Sequence, residues 1–357
     1  MTSTMESPRA AETGRTHPVT LVAADGQRVA FECGPDQSVL EAAAAAGATL
    51  PASCRQGTCG SCHAAVLDGG YELGACSPLA LPPNQRRPGD VLLCRTFPQS
   101  PLSVALPYAS SRILYGGIPV RDAVITAMET VARDTVRLEL SLNSDGATGL
   151  DCQFDPGQFM ELQLPGQDVK RAYSLANTGN WDGRLEFYIR LRPDGLFSTY
   201  LREQARPGQP ITVHGPQGAF GLHETGLRPR WFVAGGTGLT PLLSMLRHMA
   251  EWQEPQPARL FFGVNEEEDV FGVAELDAVA AELPDFTYEI CVWRPGPSWP
   301  GQPTNPAEAV AAELSATPVK PDIYLCGPPP LVDAVAGVAT AAGVPAEQIF
   351  HERFLAS

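Results

Sequence analysis

Apolar and polar positions alternate with a period of two over residues 19–24 and 28–33, and an Asp25-Gly26 turn separates the two runs. Ser38-x-x-Glu41 then reads as a capping box opening an Ala-rich helix that Gly47 stops. A hairpin followed by a helix predicts a small α+β domain. After Pro-rich stretches at residues 81–88 and 98–107, strand runs recur at 120–127, 135–142, 158–164, 171–175, 184–191 and 211–214, with one short helix at 198–204. So many strands with so little helix predict an antiparallel barrel. Beyond Leu227 strands alternate with helices: strands at 231–234, 259–264, 287–293 and 322–325, and helices from the Gly-rich loop to Trp252 and over 273–283. That rhythm predicts a parallel sheet. Residues 1–17 carry no apolar period and are expected to form a disordered tail.

At 357 residues the chain is roughly two to three times the usual size of one domain, which agrees with three patterned regions. Acidic residues number 40 against 25 basic ones, a formal net charge of -15. Nucleic acids and anionic membranes both need a surplus of Lys and Arg, so neither is an expected partner. The polar start has no apolar signal segment, and no stretch approaches the roughly 18 to 20 apolar residues of a membrane span, so a cytoplasmic location is expected. Nine cysteines are too few for a disulfide scaffold and too clustered to be unrelated, which in such a chain points to metal or redox chemistry.

Cys54, Cys59 and Cys62 form C-x4-C-x2-C, and Cys94 follows after 31 intervening residues. This is the plant-type [2Fe-2S] spacing. Three thiolates must converge on a cluster from one loop, and Gly57 and Gly60 let the backbone wrap closely with its N–H groups toward the anionic sulfurs. Zinc is the competing assignment, but structural zinc more often takes paired C-x2-C units. A Rieske centre is excluded because its paired Cys/His units are absent, His63 being merely adjacent to Cys62. Cys33, Cys76, Cys152 and Cys291 are isolated and expected to be buried free thiols.

Two further regions carry nucleotide chemistry. In the barrel region Arg171 and Tyr173 share one strand face and precede Ser174, so a cation for a pyrophosphate and a ring for stacking could lie along one extended ligand. Arg190 follows, then Gly195 and Ser198 at a helix start that offers a second phosphate seat. Tyr173 as a packing aromatic and Arg171 as a surface charge is the alternative, favoured only if nothing else in the chain were redox. In the last region a strand leads into Gly235-Gly236-Thr237-Gly238-x-x-Pro241 and a helix, which sets unpaired N–H groups and a positive dipole end against a pyrophosphate. Pro241 replaces the third glycine of the usual motif and suits a first helical turn. Past the next strand the run Glu266-Glu267-Glu268-Asp269 supplies an acid for the ribose hydroxyl, Glu266 foremost. No Arg or Lys stands within that run to accept a 2′-phosphate, so NADH is expected over NADPH. Cys326-Gly327-Pro328 opens a later helix, the placement of an active-site loop in an open α/β sheet.

The four spaced cysteines, Arg171-x-Tyr173-Ser174, the Gly235–Pro241 loop, Cys326-Gly327-Pro328-Pro329 and Glu352-x-Phe354 occur in the order seen in the ferredoxin–NADH reductases of bacterial multicomponent oxygenases, which the chain resembles over about residues 18–356. Tyr71-Glu72-Leu73, Leu81-Pro82-Pro83, Val91-Leu92-Leu93-Cys94-Arg95-Thr96 and Cys291-Val292-Trp293 look most like the reductase components of soluble methane monooxygenase and related diiron hydrocarbon monooxygenases. The resemblance implies a β-grasp [2Fe-2S] ferredoxin domain over 18–108, a β-barrel FAD domain over 115–226 and an α/β NAD domain over 228–357. It implies hydride transfer from NADH to FAD, single electrons passed to the cluster, and a diiron hydroxylase as the transient partner. It places Tyr173 beside the flavin ring, Ser174 near its N5, Cys326 and Glu352 around the nicotinamide, and Phe354 on the flavin until nicotinamide displaces it. The reductase of a Rieske ring-hydroxylating dioxygenase shares this domain order and is the alternative. A redox sensor is a more distant one, since it would not need all these motifs together.

Overall fold

In the computed structural model the described residues are 15–83, 86–146 and 148–354, and they fall into two compact units that divide after Gly117. The tail expected over residues 1–17 lies, up to residue 14, outside the described residues.

The first unit is built on strands β1 (His17–Val22), β2 (Arg28–Cys33), β3 (His63–Asp68), β4 (Asp90–Leu92) and β5 (Leu102–Ala105), with helix α1 (Val39–Ala45) after the first hairpin. Their order in the sheet is β2-β1-β5-β3-β4. First and last strands lie side by side and parallel, Leu21 opposite Val104, while the other ladders are antiparallel, which is the β-grasp arrangement. The capping box forms as expected: Ser38 N–H donates to Glu41 Oε2 at 2.9 Å and Glu41 N–H to Ser38 Oγ at 3.3 Å. One face of α1 buries Val39, Leu40, Ala42 and Ala43, and the sheet buries Val19, Leu21 and Val104. Leu114–Tyr115 pairs with Ala48–Thr49, so Tyr115, expected to begin the second domain, is tied to the first unit.

The second unit holds both remaining regions. Strands β6 (Val120–Ala132), β7 (Thr135–Leu142), β8 (Phe159–Gln163), β9 (Lys170–Ser174), β10 (Arg184–Arg190) and β11 (Pro210–Gln217) form one antiparallel sheet in the order β9-β8-β11-β6-β7-β10, with helix α2 (Leu196–Glu203) between β10 and β11. Its end strands β9 and β10 approach each other without sharing a ladder, which closes the barrel around Ile125, Leu138, Leu140, Leu162, Phe187 and Val213.

The nucleotide lobe alternates β12 (Arg230–Gly235), α3 (Leu239–Glu251), β13 (Ala258–Val264), α4 (Val273–Glu282), β14 (Phe286–Val292), α5 (Pro306–Ala316), β15 (Asp322–Gly327), α6 (Pro329–Ala341) and β16 (Ile349–Arg353). All ladders are parallel and the spatial order is β14-β13-β12-β15-β16, so the connections reverse between β12 and β15. Beyond Arg230, strand β12 is apolar because both faces are covered: Phe232 and Ala234 join one core, Trp231 and Val233 the other. Barrel residues Ala176 and Tyr188 pack in the first of these cores, so barrel and parallel sheet share buried surface.

Candidate functional site

In the first unit, residues 54–62 form a loop between α1 and β3. Gly57 and Gly60 take φ values of 77° and 85°, and a Cβ on Gly57 would lie 2.7 Å from Cγ of Arg95. The four spaced thiols fall into two hydrogen-bonded pairs, Cys54 with Cys59 and Cys62 with Cys94. Backbone N–H groups turn onto them: Gln56 and Thr58 donate to Cys54 Sγ at 3.4 and 3.3 Å, and Cys54 donates to Cys59 Sγ at 3.5 Å. Gly57 N–H reaches Cys94. The hydrogen bond from Cys59, ahead of those from Thr58 and Gln56, pulls the Cys54 thiol down to about 4, and the same bond pushes Cys59 up. Cys94 is lowered in the same way by Cys62. Two pairs of thiols with N–H donors on the sulfurs fit two bridged irons, each taking two thiolates. Cys33, Cys152 and Cys291 are buried as expected, whereas Cys76 is half-buried and donates to the Gly74 carbonyl at 3.4 Å.

In the second unit the chemistry-bearing residues gather where the sheet connections reverse, the usual ligand position of an open α/β sheet. The loop after β12 and the loop after β15 touch there. A Cβ on Gly238 would lie 2.1 Å from the Cys326 carbonyl oxygen, and one on Gly235 would lie 2.5 Å from Cδ2 of Leu331 and 2.9 Å from Cδ of Pro328. Gly238 is therefore buried beneath Cys326, while Gly235, Gly236 and Thr237 stay accessible in front of α3, whose first turn contains Pro241. Cys326 on β15 stands in register with Glu352 on β16, and Phe354 N–H donates to the Gly327 carbonyl at 2.8 Å. Glu352 as a residue is only partly buried, but its carboxyl end is enclosed: Oε2 is buried without a hydrogen-bond partner, and desolvation pushes the group up to about 7. Cys326 is fully buried, and burial, then the charge of Glu352, raises its thiol. A buried acid with a free acceptor atom is fitted to receive a ligand N–H.

The barrel side of the unit brings the strand motif to the helix start. The ring of Tyr173 on β9 packs against Phe197 of α2 with centroids 5.2 Å apart. Burial raises the Tyr173 hydroxyl, partly offset by the charges of Arg171 and Arg192. Ser174 is nearly buried, and Arg171 Nη1 donates to the Lys170 carbonyl at 2.8 Å. Gly195 begins α2 without a side-chain cap, so the first-turn N–H groups remain suited to an anion. Ser198 is engaged locally: its Oγ accepts from Arg192 N–H at 2.9 Å. Arg190 is exposed at the end of β10, opposite Thr135.

The acidic run holds a correction. Glu266 follows β13 as expected of a ribose acid, but basic groups do stand there. Arg133, in the turn between β6 and β7, donates its backbone N–H to the Glu268 carbonyl at 3.0 Å and its guanidinium to Glu266 and, at 2.8 Å, to Asp269. Arg294, just past β14, reaches the other Glu266 oxygen at 3.3 Å. Arg133 lies 133 positions upstream of Glu266, so the run itself gave no sign of it. Its hydrogen bond is the main reason the Glu266 carboxyl is lowered.

Comparison with known proteins matches three family models: a 2Fe-2S iron-sulfur cluster binding domain over residues 22–99, an oxidoreductase FAD-binding domain over 122–221 and an oxidoreductase NAD-binding domain over 232–337. Methane monooxygenase component C of Methylosinus trichosporium is 44% identical over 244 residues, 68% of this chain and 71% of its own. The reductase component of propane 2-monooxygenase from Rhodococcus jostii is 33% identical over 91% of this chain and 89% of its own. The electron transfer component of toluate 1,2-dioxygenase from Pseudomonas putida is 34% identical over 96% and 99%.

Proposed function

Since the chain belongs to the NADH-dependent flavin and iron–sulfur reductases of multicomponent oxygenases, we propose that it is the reductase of a diiron hydrocarbon monooxygenase of the methane, alkane or alkene type. When bound, FAD would supply a hydride acceptor for NADH and a [2Fe-2S] cluster would supply one-electron transfer, chemistry that belongs to the cofactors. The side chains bind and position. Cys54, Cys59, Cys62 and Cys94 hold the cluster through their two pairs. Tyr173 stacks beside the flavin ring, Ser174 lies near its reacting edge, and Arg171, Arg190 and the α2 start with Gly195 and Ser198 hold its phosphates. Gly235, Gly236, Thr237, Gly238 and Pro241 seat the dinucleotide and Glu266 reads its ribose.

Cys326, Gly327, Pro328, Glu352 and Phe354 border the nicotinamide. The enclosed Glu352 carboxyl accepts a ligand N–H and, when ionised, opposes the positive charge that develops as hydride leaves. Phe354, held through its backbone to Gly327, covers the ring position that nicotinamide must take.

The partner assignment is supported by the 44% identity to methane monooxygenase component C over 68% of this chain; over more than nine-tenths of it the propane 2-monooxygenase and toluate dioxygenase components match alike, at 33% and 34%. The docked complex is small and transient, as electron-transfer encounters usually are. No described helix is long and apolar enough to cross a membrane, and a cytoplasmic protein without nucleic-acid or membrane partners is the proposal. Steady-state turnover tests it. With NADH the full chain should drive a purified diiron hydroxylase and leave a Rieske dioxygenase idle; support of the Rieske enzyme alone would overturn the partner assignment while leaving the reductase standing.

A further inference from the structure

The ribose loop contains more positive charge than NADH needs. Glu266 follows β13 and Arg294 follows β14, strands paired in parallel with Val264 opposite Val292, so both side chains stand at the carboxyl edge of the sheet where ligands of such sheets bind. Arg294 also lies over the ring of Trp293, 5.8 Å from its centroid, and Trp293 is 61% exposed at that edge. Arg133 arrives from the barrel and is pinned twice without Glu266, by its backbone N–H on the Glu268 carbonyl and by its guanidinium on Asp269. Glu267 is turned aside, accepting from Ser298 Oγ at 2.7 Å. Among the described residues Glu266 is the carboxylate that contacts both guanidiniums, one oxygen on each.

We propose that Glu266 sets the preference for NADH by masking Arg294 beside Arg133, so that without this carboxylate the freed Arg294 guanidinium would take an adenosine 2′-phosphate. The location rests on reading Glu266 as the ribose acid; the mask itself is a separate property. Arginine pairs bind phosphate oxygens through charge-assisted forks, and a carboxylate occupying those forks excludes the phosphate both by charge and by using up the donors. Glu266→Gln removes the charge at nearly constant volume. Arg133 is held by its other bonds, whereas among the described residues Glu266 is the ion-pair partner of Arg294, so Arg294 is the group released.

The test uses the full-chain holoenzyme and calorimetric titration with 2′,5′-ADP and with 5′-AMP, probes that differ by the 2′-phosphate, alongside kcat/KM for NADPH and NADH. Glu266→Gln should bind 2′,5′-ADP about tenfold or more tightly than the unmodified protein does, with a parallel gain in kcat/KM for NADPH. Glu266→Gln/Arg294→Ala should lose the gain, and Arg294→Ala alone should widen the preference for NADH. An unchanged affinity for 2′,5′-ADP in Glu266→Gln, with flavin content and melting temperature retained, overturns the mask, as does a gain that survives in the double variant. The ribose role is read separately from 5′-AMP. If Glu266→Gln gains 2′,5′-ADP but leaves 5′-AMP untouched, the mask stands and the ribose role falls.

Discussion

Cys326 and Glu352 stand opposite each other on adjacent parallel strands, and the Glu352 carboxyl keeps one oxygen buried and unpartnered. A thiol that burial keeps protonated and an acid poised near neutrality thus stand side by side on neighbouring strands.

The first prediction is a pH profile. With Glu352 raised to about 7, flavin reduction by NADH in stopped flow should slow as pH falls through 7, because the protonated acid no longer opposes the developing nicotinamide charge. Glu352→Gln should be slower on the order of ten- to a thousandfold and lose that titration. Stability moves in the same window. The unfolded carboxyl titrates near 4.5 and the folded one near 7, so between them the folded state holds more protons and stability falls as pH rises, reaching its full loss above 7. Thermal melts of Glu352→Gln should lack this slope.

Gly238 and Gly236 should respond differently to alanine. At Gly238 the new Cβ meets a main-chain carbonyl at 2.1 Å with no flexible atom to yield, so Gly238→Ala should lose about 1–3 kcal/mol and raise KM for NADH. At Gly236, with φ 54° and open space around it, Gly236→Ala should cost about 1 kcal/mol from backbone strain alone. Equal effects in denaturant titrations would remove the argument that the two loops are in contact.

Phe354→Ala should bind NAD+ up to about tenfold more tightly, the worth of one lost aromatic competitor, while its flavin dissociates faster. Fluorescence titration and flavin retention on gel filtration measure the two effects. Unchanged nicotinamide affinity would leave Phe354 as a packing residue of the sheet core.

What the sequence carried was local. The alternation over 120–127 and 135–142, the apolar run of β12 and the capping box of α1 are near-neighbour patterns, and each became the expected element. Short or composite features were lost. β16 is Ile-Phe-His-Glu-Arg, too polar to read as a strand, yet it is what aligns Glu352 with Cys326. α5 was not expected although its sequence carries a signal, since Asn305 caps it and Pro306 opens it. Arg133 could not be seen at all, because its relation to Glu266 exists only once the barrel packs on the parallel sheet. The motifs at Arg171, Gly195 and Ser198 were legible as types of residue, but the Tyr173–Phe197 contact that joins them depends on the fold.

Cys94→Ser offers the most direct test of the proposed route, entry of electrons at the flavin and exit through a cluster held by Cys54, Cys59, Cys62 and Cys94. The full-length variant should lose the visible iron–sulfur absorption, still oxidise NADH with ferricyanide at close to the unmodified rate, and fail to drive the diiron hydroxylase, whereas Cys76→Ser should do all three as the unmodified protein does. Hydroxylation sustained by Cys94→Ser, or cluster absorption lost in Cys76→Ser and kept in Cys94→Ser, would contradict the account.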